Sequence, residues 1–208
     1  PVILVWGDSY AMQLVQGLLA SEPDVQLIQM TKAACGPIFD VVPVFTKEYN
    51  VKWAEGCLAF NSEVRQWLTT NRTVRYAVLS SPFWQYMEDG QLLIDGRLQD
   101  ASMDVAAEYM HRTLNALKGM GITPVVFSPT PQDGNNIGQC LVKAEFFGVD
   151  VTACDFSQED MTERSAAVYA WLARIAETQD VVFLSDVICR AGTCLASIDG
   201  TFIYRDKG

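Results

Sequence analysis

The sequence predicts an α/β chain, a three-layer sandwich built on a five-stranded, mostly parallel sheet, and three observations carry that reading. Five short apolar runs rich in β-branched residues recur at wide intervals: Val2–Trp6, Val25–Met30, Val74–Leu79, Thr123–Phe127 and Val181–Leu184. The runs are near-continuously apolar rather than alternating, as strands buried on both faces of a sheet must be. Between several of them lie segments with helical period, the pattern of parallel strands joined by helices.

After the first strand, Ala11, Leu14, Val15 and Leu18 are spaced i, i+3, i+4, i+7 and predict an amphipathic helix. A second helix, from about Ala101 to Lys118, places Ala106, Met110, Leu114 and Leu117 on one side and Glu108, His111, Arg112, Asn115 and Lys118 on the other. Gly119 and Gly121 stop it. A third spans roughly Met161 to Glu177, with Ala167, Trp171, Leu172 and Ile175 as its inner stripe. Two Asp-Gly pairs in apolar flanks, Leu93-Ile94-Asp95-Gly96 and Ser197-Ile198-Asp199-Gly200, predict small hairpins added to the main sheet. With 208 residues at 50% hydrophobic content and no repeat or linker, one domain with one core is expected.

The formal net charge of −10 repels phosphate backbones and anionic headgroups, which disfavours nucleic-acid and membrane-surface roles. No uninterrupted apolar run approaches the roughly 18 residues that cross a bilayer. Pro1 opens abruptly inside a β-like run, so a fragment of a longer protein is expected. The six cysteines fall in neighbouring pairs, Cys35 with Cys57 and Cys140 with Cys154 about polar loops, and Cys189 close to Cys194. Three local disulfides and an oxidising compartment are the expectation. Zinc ligation competes with a poor pattern, since no CxxC pair occurs and His111 is the single histidine; buried free thiols are the other alternative.

Ligands of an open α/β sheet bind beyond the carboxyl ends of the strands, which points to the loops starting at Gly7, Thr31, Ser80, Ser128 and Ser185. The first runs from a buried strand through Gly7-Asp8-Ser9 straight into a helix. A serine there is surrounded by helix-opening amides that can hold an oxyanion after its hydroxyl attacks a carbonyl, although Asp and Ser are also ordinary helix caps. Such a serine needs a base, and His111 falls on a polar helix face, the position of a solvated histidine.

Gly7-Asp8-Ser9-Tyr10-Ala11 resembles the first block of the SGNH hydrolases, and Tyr204-Arg205-Asp206-Lys207-Gly208 resembles the approach to their last block, Asp-x-x-His. The resemblance implies a flavodoxin-like sheet, Ser9 as the nucleophile, Asp206 as the carboxylate that orients the base, and a base histidine immediately after Gly208. Without the family context, Asp206 reads as an exposed loop acid. The family's oxyanion glycine corresponds to Gly36, in Lys32-Ala33-Ala34-Cys35-Gly36-Pro37. Its asparagine after the third strand has no counterpart in Ser80-Ser81-Pro82-Phe83-Trp84-Gln85-Tyr86, which leaves the amides of Ser9 and Gly36 and the Ser81 hydroxyl as candidate donors.

The Trp-Gly-Asp-Ser start, the tryptophan after strand three, the paired cysteines and the closing Tyr-Arg-Asp are similar to SGNH domains fused behind bacterial membrane acyltransferases of type three, such as the O-antigen O-acetyltransferases. That similarity implies O-acetylation of a surface polysaccharide such as lipopolysaccharide, on the periplasmic side of the inner membrane. It implies no cofactor or metal in this domain, and an acyl donor delivered by an N-terminal membrane domain of the same protein. A secreted carbohydrate esterase, a non-catalytic glycan-binding module and, more distantly, a flavodoxin-like nucleotide binder are the alternatives. Phe39, Trp53, Trp84 and Tyr86 either stack on a sugar at the mouth or belong to the core.

Overall fold

The computed structural model describes residues 1–88 and 90–206. They form two compact units, Pro1–Phe127 with Trp171–Val182, and Ser128–Ala170 with the chain from Phe183 onward.

In the first unit, β1 (Val2–Gly7), β2 (Gln26–Thr31), β4 (Val74–Ser80), β7 (Thr123–Phe127) and β9 (Val181–Val182) form one sheet in the order β2-β1-β4-β7-β9. Every pairing in it is parallel. β1 lies second in that order, and Leu4, Val5 and Trp6 are fully buried, as its unbroken apolar run requires. The fifth strand ends at Val182, short of the predicted Leu184, because the Leu184 N–H donates to Ser128 Oγ at 2.9 Å instead of to a neighbouring strand. The register aligns the strand ends: Gly7 pairs with Thr31 on one side and Ser80 on the other, so three of the anticipated loops leave the sheet side by side.

α1 (Ser9–Ser21) buries Ala11 against Val5 and Val78, with Leu14, Val15 and Leu18 packed around them. α3 (Met103–Gly119) buries the predicted stripe Ala106, Met110, Leu114 and Leu117, plus Thr113. α5 (Glu163–Ala176) buries Trp171, Leu172 and Ile175, while its first half buries Ser165 and Val168 and leaves the predicted Ala167 half-buried. The long helix α2 (Val51–Thr70) occupies a stretch that the sequence reading treated as part of a polar loop. Its buried positions, Ala54, Cys57, Asn61, Val64 and Leu68, do follow helical spacing, but an asparagine sits in the middle of the stripe.

The first predicted hairpin exists as β5 (Gln91–Ile94) and β6 (Arg97–Asp100), but it does not extend the main sheet. It pairs with β3 (Val41–Val44) in a separate antiparallel sheet, β3-β5-β6. Asp95 and Gly96 both have positive φ, 51° and 72°, which is the two-residue turn that Asp-Gly favours.

The second unit holds α4 (Ile137–Phe147), β8 (Phe156–Ser157), the short α6 (Ser185–Ile188), β10 (Cys189–Arg190) and β11 (Thr193–Cys194). β10-β11-β8 form one antiparallel sheet; the second hairpin, β12 (Ser197–Ile198) with β13 (Thr201–Phe202), stands as a two-stranded sheet of its own rather than an addition to the main one. Its core gathers Ile137, Leu141, Phe156, Ile188 and Tyr204. Strands this short are marginal alone, and covalent links support them. Cys140 is bonded to Cys154, and Cys189 to Cys194 directly across the β10–β11 pair. With Cys35–Cys57 in the first unit, all six cysteines form the three local pairs expected. Cys57 and Cys140 lie within helices, however, not at the edges of loops. Among the described residues no helix is long and apolar enough to cross a membrane.

Candidate active site

The turn after β1 is dictated by space. Gly7 has φ +150°, and a Cβ added there would lie 2.1 Å from the Ser80 carbonyl oxygen of β4. Only glycine lets the strand end this close to its neighbour. The Gly7 carbonyl accepts from the Lys32 N–H at 3.0 Å, which ties the first loop to the second.

Asp8 caps α1 and is only 1% exposed. Its carboxylate accepts from the Tyr10 N–H at 3.0 Å and from the Ser81 hydroxyl at 2.7 Å. Burial pushes Asp8 up to about 6, against the lowering effect of those two hydrogen bonds. Ser9 follows as the first residue of α1, with its side chain exposed. Its amide is one of the opening N–H groups that have no acceptor within the helix.

Gly36 is buried in the second loop, and again space explains the residue: an added Cβ would stand 2.7 Å from the Tyr86 hydroxyl and 3.1 Å from Ser81 Oγ. The loop is fixed from α2. Asn61 donates through Nδ2 to the carbonyls of Gly36 at 3.0 Å and Ile38 at 3.1 Å, while its Oδ1 accepts from the Trp6 indole at 3.0 Å. The Cys35–Cys57 disulfide joins the same loop to the same helix. On the third loop, Phe83 is fully buried in the left-handed region at φ 59°, a strained setting for a large side chain.

The first unit thus brings Ser9, Gly36 and Ser81 together around Asp8, with Ser81 occupying the loop where the family pattern has asparagine. For two of the aromatics the structure decides between sugar stacking and the core in favour of the core. Phe39 is 2% exposed, packed on Trp6 with ring centroids 4.6 Å apart and covered by the Arg65 guanidinium. Tyr86 is 1% exposed, and burial holds its phenol well above the ordinary range. Neither presents a face to a sugar. Trp53 and Trp84 remain half-buried.

Asp206 belongs to the second unit and is exposed. Its backbone is firmly seated: its carbonyl accepts from the Gly138 N–H at 2.8 Å, and a Cβ on Gly138 would meet the Arg205 oxygen at 2.1 Å. Tyr204 is buried and donates to the Pro131 carbonyl at 2.8 Å. Lys207 and Gly208, the rest of the predicted closing block, lie outside the described residues. His111 is half-buried along α3.

Sequence reasoning missed Asp8 and Asn61. By its local pattern Asp8 is a helix cap, and nothing local announces that its second oxygen meets Ser81, 73 positions away. Asn61 was legible in principle as a polar residue within a helical apolar stripe, the pattern of a buried group with partners.

A parallel sheet with a serine-bearing turn after its first strand is the architecture of SGNH-type domains. The chain belongs to that family: the model described as "SGNH domain (fused to AT3 domains)" matches residues 1–208. Among solved structures, the periplasmic domain of a lipopolysaccharide acetyltransferase from Salmonella ser. Paratyphi A is similar over 100% of this chain and 76% of its own, with a TM-score of 0.70 and 14% sequence identity. At that identity the likeness speaks for the fold. No curated protein sequence matches. Family and architecture together support a role of the acyltransferase or esterase type.

Proposed function

We propose that this domain is a serine-dependent O-acyltransferase that acetylates a polysaccharide such as the O-antigen of lipopolysaccharide, at the periplasmic face of the inner membrane. The observation that carries the reading is the exposed Ser9 hydroxyl at the first position of α1, on a turn that only glycine can close. The disulfides agree with an oxidising compartment. The family's fusion to AT3 domains supports an N-terminal membrane partner that delivers the acyl group. The described relative, a periplasmic domain of a lipopolysaccharide acetyltransferase, supports the choice of acceptor.

In the proposed reaction Ser9 Oγ attacks the acyl carbonyl and gives its proton to the base histidine expected of an Asp-x-x-His block, which Asp206 orients. The developing oxyanion is held by the amides of Ser9 and Gly36, with the Ser81 hydroxyl as a further donor. The donor's leaving group departs with that proton, and an acyl-serine remains. A sugar hydroxyl then attacks the ester carbonyl, its proton passes to the imidazole and on to Ser9, and the product ester leaves. Water in place of the sugar makes the same site an esterase.

Mass spectrometry of the chain extended past Gly208, after exposure to p-nitrophenyl acetate, tests the covalent step. A single added acetyl group on Ser9, absent in Ser9→Ala, is the expected result. Turnover that persists in Ser9→Ala rules the mechanism out. Competing water against an oligosaccharide acceptor separates transfer from hydrolysis.

A further inference from the structure

The small sheet ends in an aromatic cluster that the reaction above does not use. Val44, Gln91 and Asp100 lie opposite one another, so the residues just beyond them share one end of β3-β5-β6. Phe45 follows Val44 there and stacks on Tyr49 with centroids 4.8 Å apart, while Trp84 meets Phe45 edge-on at 5.5 Å. Trp53 of α2 meets Tyr49 edge-on at 4.9 Å. All four rings are half-buried, so each keeps part of its surface open.

Beside the cluster is a pocket of about 370 Å³ lined by Met87, Glu88, Gly90, Asp100 and Ala101, within the size range of small-ligand sites. Gly90 connects the two: a Cβ built on it would stand 3.7 Å from Phe45 Cβ. Trp84 is also three residues from Ser81, at most about 10 Å of extended chain, and Ser81 is bonded to the residue before Ser9.

Aromatic faces next to carboxylates suit a sugar ring. The C–H face of a pyranose packs on an aromatic ring, and its hydroxyls donate to carboxylate oxygens. Carboxylates in a domain of net charge −10 repel a sugar that carries its own. We propose that this end of the small sheet is an acceptor subsite for a neutral or N-acylated hexopyranose, stacked on the Phe45–Trp84 cluster with hydroxyls directed to Asp100 and Glu88, and closed to uronic acids. The proposal rests on the acyltransferase reading and names its acceptor class.

The test is calorimetric titration of the chain carrying Ser9→Ala with isomaltohexaose, N-acetylchitohexaose and hexagalacturonate. Binding of at least one neutral oligosaccharide, and not of hexagalacturonate, is expected. Trp84→Ala and Tyr49→Ala should each weaken it about tenfold, whereas Trp84→Phe should hold it near the parent value. Asp100→Asn should weaken the neutral ligand and leave the fold unchanged by circular dichroism. Heat from neither neutral oligosaccharide, hexagalacturonate binding as tightly as they do, or full affinity in Trp84→Ala would overturn the subsite. Acetyl capture by Ser9 is measured separately. Binding without capture would remove the reaction but keep the subsite, and capture without binding would do the reverse.

Discussion

The two units hold their share of the proposed machinery by different means. In the first, the Ser9 turn is set by a five-stranded sheet in continuous register, by Gly7 pressed on Ser80, and by the buried hydrogen bonds of Asp8 and Asn61. In the second, strands of two residues are braced by two disulfides, and Asp206 is positioned through backbone contacts with Gly138. Ser9 is placed by packing and register, and Asp206 by its backbone contacts with Gly138. A Cβ added at Gly7 strikes the Ser80 carbonyl of the neighbouring strand and one added at Gly138 strikes the Arg205–Asp206 backbone, so each substitution should disturb the unit that holds it.

The largest expected effect is Gly7→Ala. Its Cβ meets backbone rather than a side chain that can move, so a loss of about 4 kcal/mol in urea unfolding is expected from overlap and strain together. Stability within about 1 kcal/mol of the parent would show that the β1–β4 contact is not what sets the turn.

Next comes the charge of Asp8. Its folded value of about 6 stands above the ordinary 3.8, so the folded state binds the proton more tightly. The contribution to stability is full below about pH 4 and is lost as pH rises through 6, a change of about 3 kcal/mol. Unfolding measured from pH 4 to 7 should show that decline in the parent and a flatter profile in Asp8→Asn. Identical profiles would mean that Asp8 is not buried as a carboxylate beside Ser81.

The second unit should answer to cross-linking. Replacing Cys140 and Cys154 by alanine opens a loop with a sequence separation of 14 and should cost about 3 kcal/mol. Hydrogen exchange should rise in α4 and β8 before it rises in β1 and β4. Uniform loss of protection across both units would erase the contrast between them.

Gly138→Val should act on the placement of Asp206. Its side chain must push away the Arg205–Asp206 backbone, and displacing a catalytic group by about 1 Å is enough to lower turnover roughly 100-fold. Turnover of the chain extended past Gly208 should fall at least that far, together with a measurable loss of stability, because this Cβ too meets backbone. Unaltered turnover would detach Asp206 from the mechanism.

All five sheet strands, the glycine turn before the first helix and the cysteine pairs were legible because each is a local signal. Unbroken apolar runs demand burial on two faces, a glycine before a helix cap demands a sharp reversal, and close cysteines cross-link cheaply. α2 was not legible for the opposite reason: Asn61 looks like a break in an apolar stripe until its three partners, all from β1 and the Gly36 loop, are in place. The hairpin turn at Asp95-Gly96 was correctly expected, whereas its sheet was not, since turn chemistry specifies how a strand reverses and says nothing about which edge it joins.

On its own, then, the amino-acid order determined the architecture, the serine turn and the covalent pairing, each through interactions between residues near in the chain or through patterns of period two and 3.6. Tertiary structure alone decided that Ser81 answers Asp8, that Phe39 and Tyr86 are interior while Trp53 and Trp84 keep exposed surface, and that Gly138 seats Asp206. Those outcomes depend on contacts between distant segments, where a side chain's environment is set by whatever the fold brings against it.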